Sequence, residues 1–306
     1  MNTVTVVAGA NGFVGSQICR ALLKNGETVR AVVRRAGSMV AHPGLEEWVG
    51  DFADPVFATN VCAGARSVVT TVHPMASDFE TQRKVGVDGT SDFARAARDA
   101  GVELLIHIST AGVYERESDT GDVKESSRLV SDAAGPYAVT KRDAEASLEN
   151  VTGLTRVFIR PPAILGTGES STWNSILPAQ IRDDEAARHA VPDRTFAWVH
   201  VNDLASFAAD IATRRVATSN DPEVGPVPGS TTAVNVAAPA AKVRDYYVAV
   251  TTALGVAPIW DDQPAWTGRL VADRARAWGW SPTVGLEQAM VELVAPLSGT
   301  GRAPSH

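Results

Sequence analysis

The chain has 306 residues, 44% of them hydrophobic and 21% charged, which suits one large or two smaller globular units with ample core. Its net charge of −7, with no Lys/Arg run longer than two, leaves no footprint for nucleic acid or an anionic membrane. Two cysteines (Cys19, Cys62) are too few for a disulfide framework or a metal site, and no apolar stretch approaches membrane-spanning length, so the expectation is the reducing cytoplasm.

Val4-Thr5-Val6-Val7-Ala8 is a short strand-like run that enters Gly9-Ala10-Asn11-Gly12-Phe13-Val14-Gly15. A helical pattern follows, with Val14, Ile18 and Leu22 four apart. Strand, glycine loop and helix in this order make a phosphate cradle. Gly9 permits a tight turn, Gly12 keeps a side chain away from a pyrophosphate, and Gly15 lets the helix lie close to the strand. Asn11, Phe13 and Val14 complete the candidate cofactor loop. GxxGxxG differs from the GxGxxG fingerprint, so the loop alone leaves other α/β proteins open.

Thr28–Val33 reads as the second strand and ends at Arg34-Arg35. An acidic residue there binds the 2′-hydroxyl of NAD, and a basic one accommodates the 2′-phosphate of NADP. The pair therefore points to NADP, with NAD as the other cofactor such a fold accepts; two solvated surface arginines are the alternative. Asp51 is placed to accept from an adenine amino group or to cap the next helix, and Phe52 lies beside it. Ser67–Val72 is a buried strand whose end (Thr71, Val72, His73) reaches the cofactor. His73 and Met75 are candidate substrate contacts, although a histidine here is ordinarily a strand-end surface residue.

Residues 78–99 carry a helical pattern closed by Gly101. Residues 104–110 form a strand apolar on both faces, as a central parallel strand requires. Ligands gather at the carboxyl ends of such strands, which puts Ile108, Ser109, Thr110 and Ala111 at the site. A polar loop, 115–130, is too hydrophilic for core. Gly135-Pro136-Tyr137-Ala138-Val139-Thr140-Lys141 then opens a helix, with Tyr137 and Lys141 on one face. An ammonium there lowers the phenol pKa from about 10 toward the working range, making tyrosine a usable general acid/base. Lys141 also reaches the nicotinamide ribose, and Thr110 holds the substrate oxygen.

These residues resemble the extended short-chain dehydrogenases/reductases, the family of epimerases and dehydratases, almost end to end. The likeness takes in Val85-Gly86-Val87-Asp88-Gly89-Thr90, residues 108–114, Ile159-Arg160-Pro161-Pro162-Ala163-Ile164-Leu165-Gly166, residues 198–205 and residues 272–282. It implies an α/β fold: a Rossmann-type doubly wound parallel sheet over 1–165, with strand and helix returns near 195–213. A smaller, mostly helical C-terminal substrate-binding lobe follows over 166–306. It also implies Thr110, Tyr137 and Lys141 as catalytic residues, Pro161, Ala163 and Ile164 along the nicotinamide, and a homodimer through the Tyr-Lys helix. Gly86 departs from the family, standing where an asparagine usually ties neighbouring strands together.

Beyond residue 166 lie six of the seven tryptophans. Most read as packing; Trp173, in a polar loop, is the candidate substrate wall. His200 and Asp203 read as structural. Arg182, Arg188, Arg194 and Arg269 are available for a diphosphate, but no spacing singles them out. The expected activity is NADP-dependent reduction of a carbonyl, or oxidation of an alcohol, on a small or apolar substrate. The alternatives are an epimerase or dehydratase with tightly bound NAD(P) on a sugar nucleotide, and a non-catalytic NADP-sensing protein.

Overall fold

Val6, Val7 and Ala8 are fully buried, as both faces of a central parallel strand must be. The structure, a computed structural model, describes residues 3–298; the outer ends of the two expected regions, 1–2 and 299–306, lie outside it. β1 (Val4–Ala8) leads through the glycine loop into α1 (Phe13–Lys24), β2 (Thr28–Val33), β3 (Leu45–Val49), α2 (Pro55–Cys62) and β4 (Ser67–Thr70). α3 (Phe79–Gln82) runs through a π-helical turn, Arg83–Gly89, into α4 (Thr90–Asp99). β5 (Leu104–Ile108), α5 (Pro136–Glu149) and β6 (Thr155–Arg160) follow.

The second part contains β7 (Ala163–Leu165), α6 (Leu177–Asp183), β8 (His189–Ala190), β9 (Thr195–Phe196), β10 (Trp198–His200) and α7 (Val201–Ala212). It continues with β11 (Thr231–Asn235), β12 (Ala241–Lys242), α8 (Val243–Leu254), β13 (Ile259–Trp260), α9 (Asp273–Ala277) and α10 (Leu286–Val294).

Seven strands form one sheet in the order β11-β6-β5-β4-β1-β2-β3, every neighbouring pair parallel. The order reverses between β1 and β4, and the crevice at their carboxyl ends is where a doubly wound sheet takes a ligand. On one face, Phe52, Val61, Phe93, Leu148 and Phe158 share an apolar core. On the other, Ile18 and Leu22 of α1 and Phe207 of α7 pack with Trp266, Trp278 and Trp280. The chain thus returns to the sheet after building the lobe, whose own core joins Ile181, Phe196, Trp198, Tyr246, Val250 and Leu293.

Two features tie lobe to sheet. β7 pairs parallel with β10, Ala163 opposite Trp198 and Leu165 opposite His200. Asp203, buried at the start of α7, accepts from Thr283 N at 3.0 Å, Thr283 Oγ1 at 2.5 Å and Val284 N at 3.1 Å. Its carbonyl accepts from Trp280 Nε1 at 3.2 Å, and His200 Nε2 meets Glu292 Oε2 at 3.0 Å. The hydrophilic loop 115–130 is not all surface: Val123 is fully buried and bridges to Leu270. Among the described residues no helix is long and apolar enough to cross a membrane.

Candidate active site

The glycine loop is shaped by close approach. At Gly15 a Cβ would stand 2.1 Å from the Gly9 carbonyl oxygen, so α1 lies against β1 only without a side chain there. Gly9 has φ 80°, and a Cβ on it would stand 2.5 Å from Thr71 Oγ1, which donates to the carbonyls of Ala8 and Gly9. Gly12 begins α1 with no side-chain cap, leaving first-turn N–H groups available to an anion. Asn11 is exposed on the loop, Val14 packs on the core, and Phe13 lies against Gly168, where a Cβ would come within 2.7 Å of its ring. This cradle fits a dinucleotide pyrophosphate.

Arg34 and Arg35 are exposed at the end of β2, and neither guanidinium has a hydrogen bond or ion pair. Asp51, also exposed, accepts from Ala53 N at 2.9 Å and so shapes its own turn. The Phe52 side chain is buried against Phe93, ring centroids 5.9 Å apart. Val72 packs on the same core.

At the end of β5, Thr110 Oγ1 accepts from Gly112 N at 3.0 Å, and Ala111 N donates to the Pro161 carbonyl at 2.7 Å. That second bond brings the Pro161–Ile164 stretch, Ala163 and Ile164 half-buried in β7, beside the threonine. Thr110 stands next to the Tyr137 phenol and eases its ionisation, but burial outweighs this and raises the phenol pKa above its ordinary value. The lowering expected from Lys141 is therefore not the state of this site. The Lys141 ammonium instead donates to the Ile108 carbonyl at 2.8 Å, and burial pushes its own pKa down to about 8, with Glu145 opposing. The Ser109 hydroxyl is buried without a partner.

Glu145 lies one turn beyond Lys141. It is held by Arg160 through Nε at 2.9 Å and Nη2 at 2.5 Å, and Arg160 Nη1 donates to Tyr114 Oη at 2.7 Å. Tyr114 in turn donates to Asn235 Oδ1 at 2.8 Å. This buried network supports the helix from behind the lysine.

His73 is half-buried. Its ring stands edge-on to that of Tyr137, centroids 5.0 Å apart, over Gly86, whose missing Cβ would come 2.9 Å from Nδ1. Nε2 lies 3.3 Å from Gln82 Oε1, an acceptor that fixes the proton on Nε2, and Nδ1 is buried without a partner. Burial and then Lys141 hold its pKa down to about 3, so the imidazole is neutral. Gln82 carries no motif in the sequence; it closes α3, just before the π turn that holds Gly86. Met75 is exposed in the turn beyond. Trp173 is half-buried in the lobe's aromatic cluster, 5.1 Å from Phe196 and 5.3 Å from Tyr246, rather than free in a loop.

A family model described as NAD(P)H-binding matches residues 9–214. A 2-alkyl-3-oxoalkanoate reductase of Stenotrophomonas maltophilia is 28% identical over 170 residues, 54% of this chain and 52% of that protein. A 3 beta-hydroxysteroid dehydrogenase/Delta 5-->4-isomerase of Mycobacterium tuberculosis is 28% identical over 193 residues, 58% of this chain and 51% of that protein. The chain spans about half the length of these curated relatives. The solved structure of Bordetella bronchiseptica WbmH with NAD+ superposes with a TM-score of 0.76 at 21% identity, covering 99% of this chain and 100% of that one. It shares the fold.

Proposed function

Because this chain belongs to the NAD(P)H-binding family and has the fold of the extended short-chain dehydrogenases/reductases, we propose that it is an NADP-dependent oxidoreductase acting on a carbonyl compound. What supports this most is the meeting of Thr110, Tyr137 and Lys141 at the carboxyl end of β5, beside a glycine cradle and two unpartnered arginines. The bound dinucleotide supplies the hydride. Thr110 holds the carbonyl oxygen, and Tyr137 gives it the phenolic proton, so the carbonyl becomes an alcohol and the phenolate regains its proton from solvent. Lys141 provides the positive charge that tolerates the transient phenolate. Arg34 and Arg35 take the 2′-phosphate.

The test is absorbance loss of NADPH against a panel of ketones and aldehydes, with Tyr137→Phe alongside. Stoichiometric NADPH consumption is expected, with turnover of the variant falling by a factor of ~10²–10⁴ while NADP binding is kept. Unaltered turnover in the variant removes Tyr137 from the mechanism; turnover without net NADPH loss makes the protein an epimerase.

A further inference from the structure

Gln82 is buried at the end of α3, and its amide meets two separate walls of the site. Nε2 donates to the Ser77 carbonyl at 2.8 Å and to the Met75 carbonyl at 3.5 Å. Two carbonyls on that side demand the NH2 group, so the amide oxygen faces the other way. There Oε1 accepts from His73 Nε2 at 3.3 Å and, more weakly, from Thr140 Oγ1 at 3.4 Å, on α5 beside Lys141. The threonine proton is shared with the Pro136 and Tyr137 carbonyls, at 2.8 and 3.2 Å. One side chain thus closes the loop after β4, from His73 to Ser77, and sets it against the helix that carries Tyr137. The next residue repeats the tie: Arg83 Nη1 pairs with Asp143 Oδ2 at 2.6 Å.

The helix that bears Gln82 has its own cap, Asp78 accepting from Thr81 N at 2.8 Å, so the amide is not spent on holding α3. Its weight falls on His73. That ring stands edge-on to Tyr137, centroids 5.0 Å apart, with Gly86 at its back. Gln82 supplies the one hydrogen bond to the imidazole among the described residues, since Nδ1 is buried without a partner. A proton moved to Nδ1 sets two lone pairs, on Nε2 and Oε1, facing each other at 3.3 Å. The amide therefore selects both the tautomer and the tilt of the ring that leans on the phenol.

We propose that Gln82 is a positioning residue: acting through His73, it holds the Tyr137 phenol where its proton passes to the substrate. Proton donation belongs to the oxidoreductase reading, on which that part rests; the hold on the imidazole and on the phenol ring does not depend on it. A phenol displaced by a fraction of an ångström still binds beside its cofactor but transfers its proton poorly, so the loss belongs in kcat.

The test is Gln82→Met, which fills the space with an unbranched side chain and no amide, measured alone and together with His73→Ala. Alone, it should lower kcat for NADPH-dependent reduction about tenfold or more and keep KM for NADPH. In the His73→Ala background it should cost kcat almost nothing further, because the residue it acts through is gone. Nitrogen NMR of the imidazole, assigned by its absence in His73→Ala, reads the tautomer directly at neutral pH, where burial and then Lys141, holding the pKa down to about 3, leave the ring uncharged. Wild type should show the proton on Nε2, and Gln82→Met a mixture of both forms. A proton on Nδ1 in wild type overturns the proposal even if the variant fails to fold. So does an unchanged kcat or an unchanged tautomer in Gln82→Met, or a kcat loss of equal size in both backgrounds, which would place the effect in the Ser77 loop. If no carbonyl compound is turned over while the tautomer and the Tyr137 ring resonances still shift in Gln82→Met, the oxidoreductase reading falls and the hold on the two rings stands.

Discussion

Gly86 makes the room that His73 occupies: a methyl group on its Cα would reach within 2.9 Å of the imidazole Nδ1. The ring that fills this space braces Tyr137 from the side. Gly86→Ala must therefore move the imidazole, at a cost of about 1–3 kcal/mol of overpacking, and lower kcat/KM with it. His73→Ala should relieve the clash, so the double variant is more stable than the sum of the two singles predicts. Thermal unfolding and kinetics around this mutant cycle check it; strict additivity would mean the two do not interact.

The titrating groups give opposite pH profiles to the two directions. Reduction needs the protonated phenol, and burial raises the Tyr137 pKa, so the phenol stays protonated well into alkaline solution. Oxidation needs the phenolate, and its rate should climb with pH while Lys141 keeps its charge. Lys141 sits near 8 against an ordinary 10.5. Between these values the unfolded chain holds a proton that the folded lysine has released, so its contribution to stability rises with pH across that window. Denaturation of wild type and Lys141→Met between pH 7 and about 10.5 should show the rise in the first alone.

At the cofactor end, Arg34→Ser with Arg35→Ser should raise KM for NADPH and leave KM for NADH nearly unchanged. Each charge-assisted contact is worth about 1.5–3 kcal/mol, so the loss should be at least tenfold per arginine that touches the phosphate. Equal effects on both cofactors would place the 2′-phosphate elsewhere.

Gly15→Ala forces a methyl group into the Gly9 carbonyl, 2.1 Å away. The loop has to open for it, and dinucleotide binding should be lost before the fold is. Loss of NADP binding with retained circular dichroism is the expected result.

Behind the active helix, Glu145→Gln leaves Arg160 buried and uncompensated, which costs about 3–5 kcal/mol. It also removes the carboxylate that supports charge on Lys141, so that lysine should titrate lower still. Chemical denaturation and the alkaline limb of the reductive rate measure the two effects separately.

The parts of the site legible in the sequence are those made by neighbours along the chain. The glycine loop and the helical spacing of Tyr137 and Lys141 need only local geometry. What escaped needs the sheet and the lobe. Gly86 comes under His73 in a π turn, and Gln82 at the end of α3 just before it, an arrangement that no periodicity announces. Trp173, in a segment rich in polar residues, is drawn into the lobe by Phe196 and Tyr246, which are distant in sequence. Spacing shows one neighbouring charge beside Tyr137, whereas burial, invisible in the spacing, raises its pKa.

The bonds that Asp203 receives from Thr283 and Val284, with the Trp278 and Trp280 rings tilted against Phe207, have a consequence for biosynthesis. Ribosomes deliver a polypeptide from its amino end, so the nucleotide-binding half leaves the exit tunnel with one flank of α7 bare and a buried-to-be carboxylate still wet. Only when the segment around residue 283 arrives is that flank roofed. The half of the molecule made first stays provisional until that segment has been read.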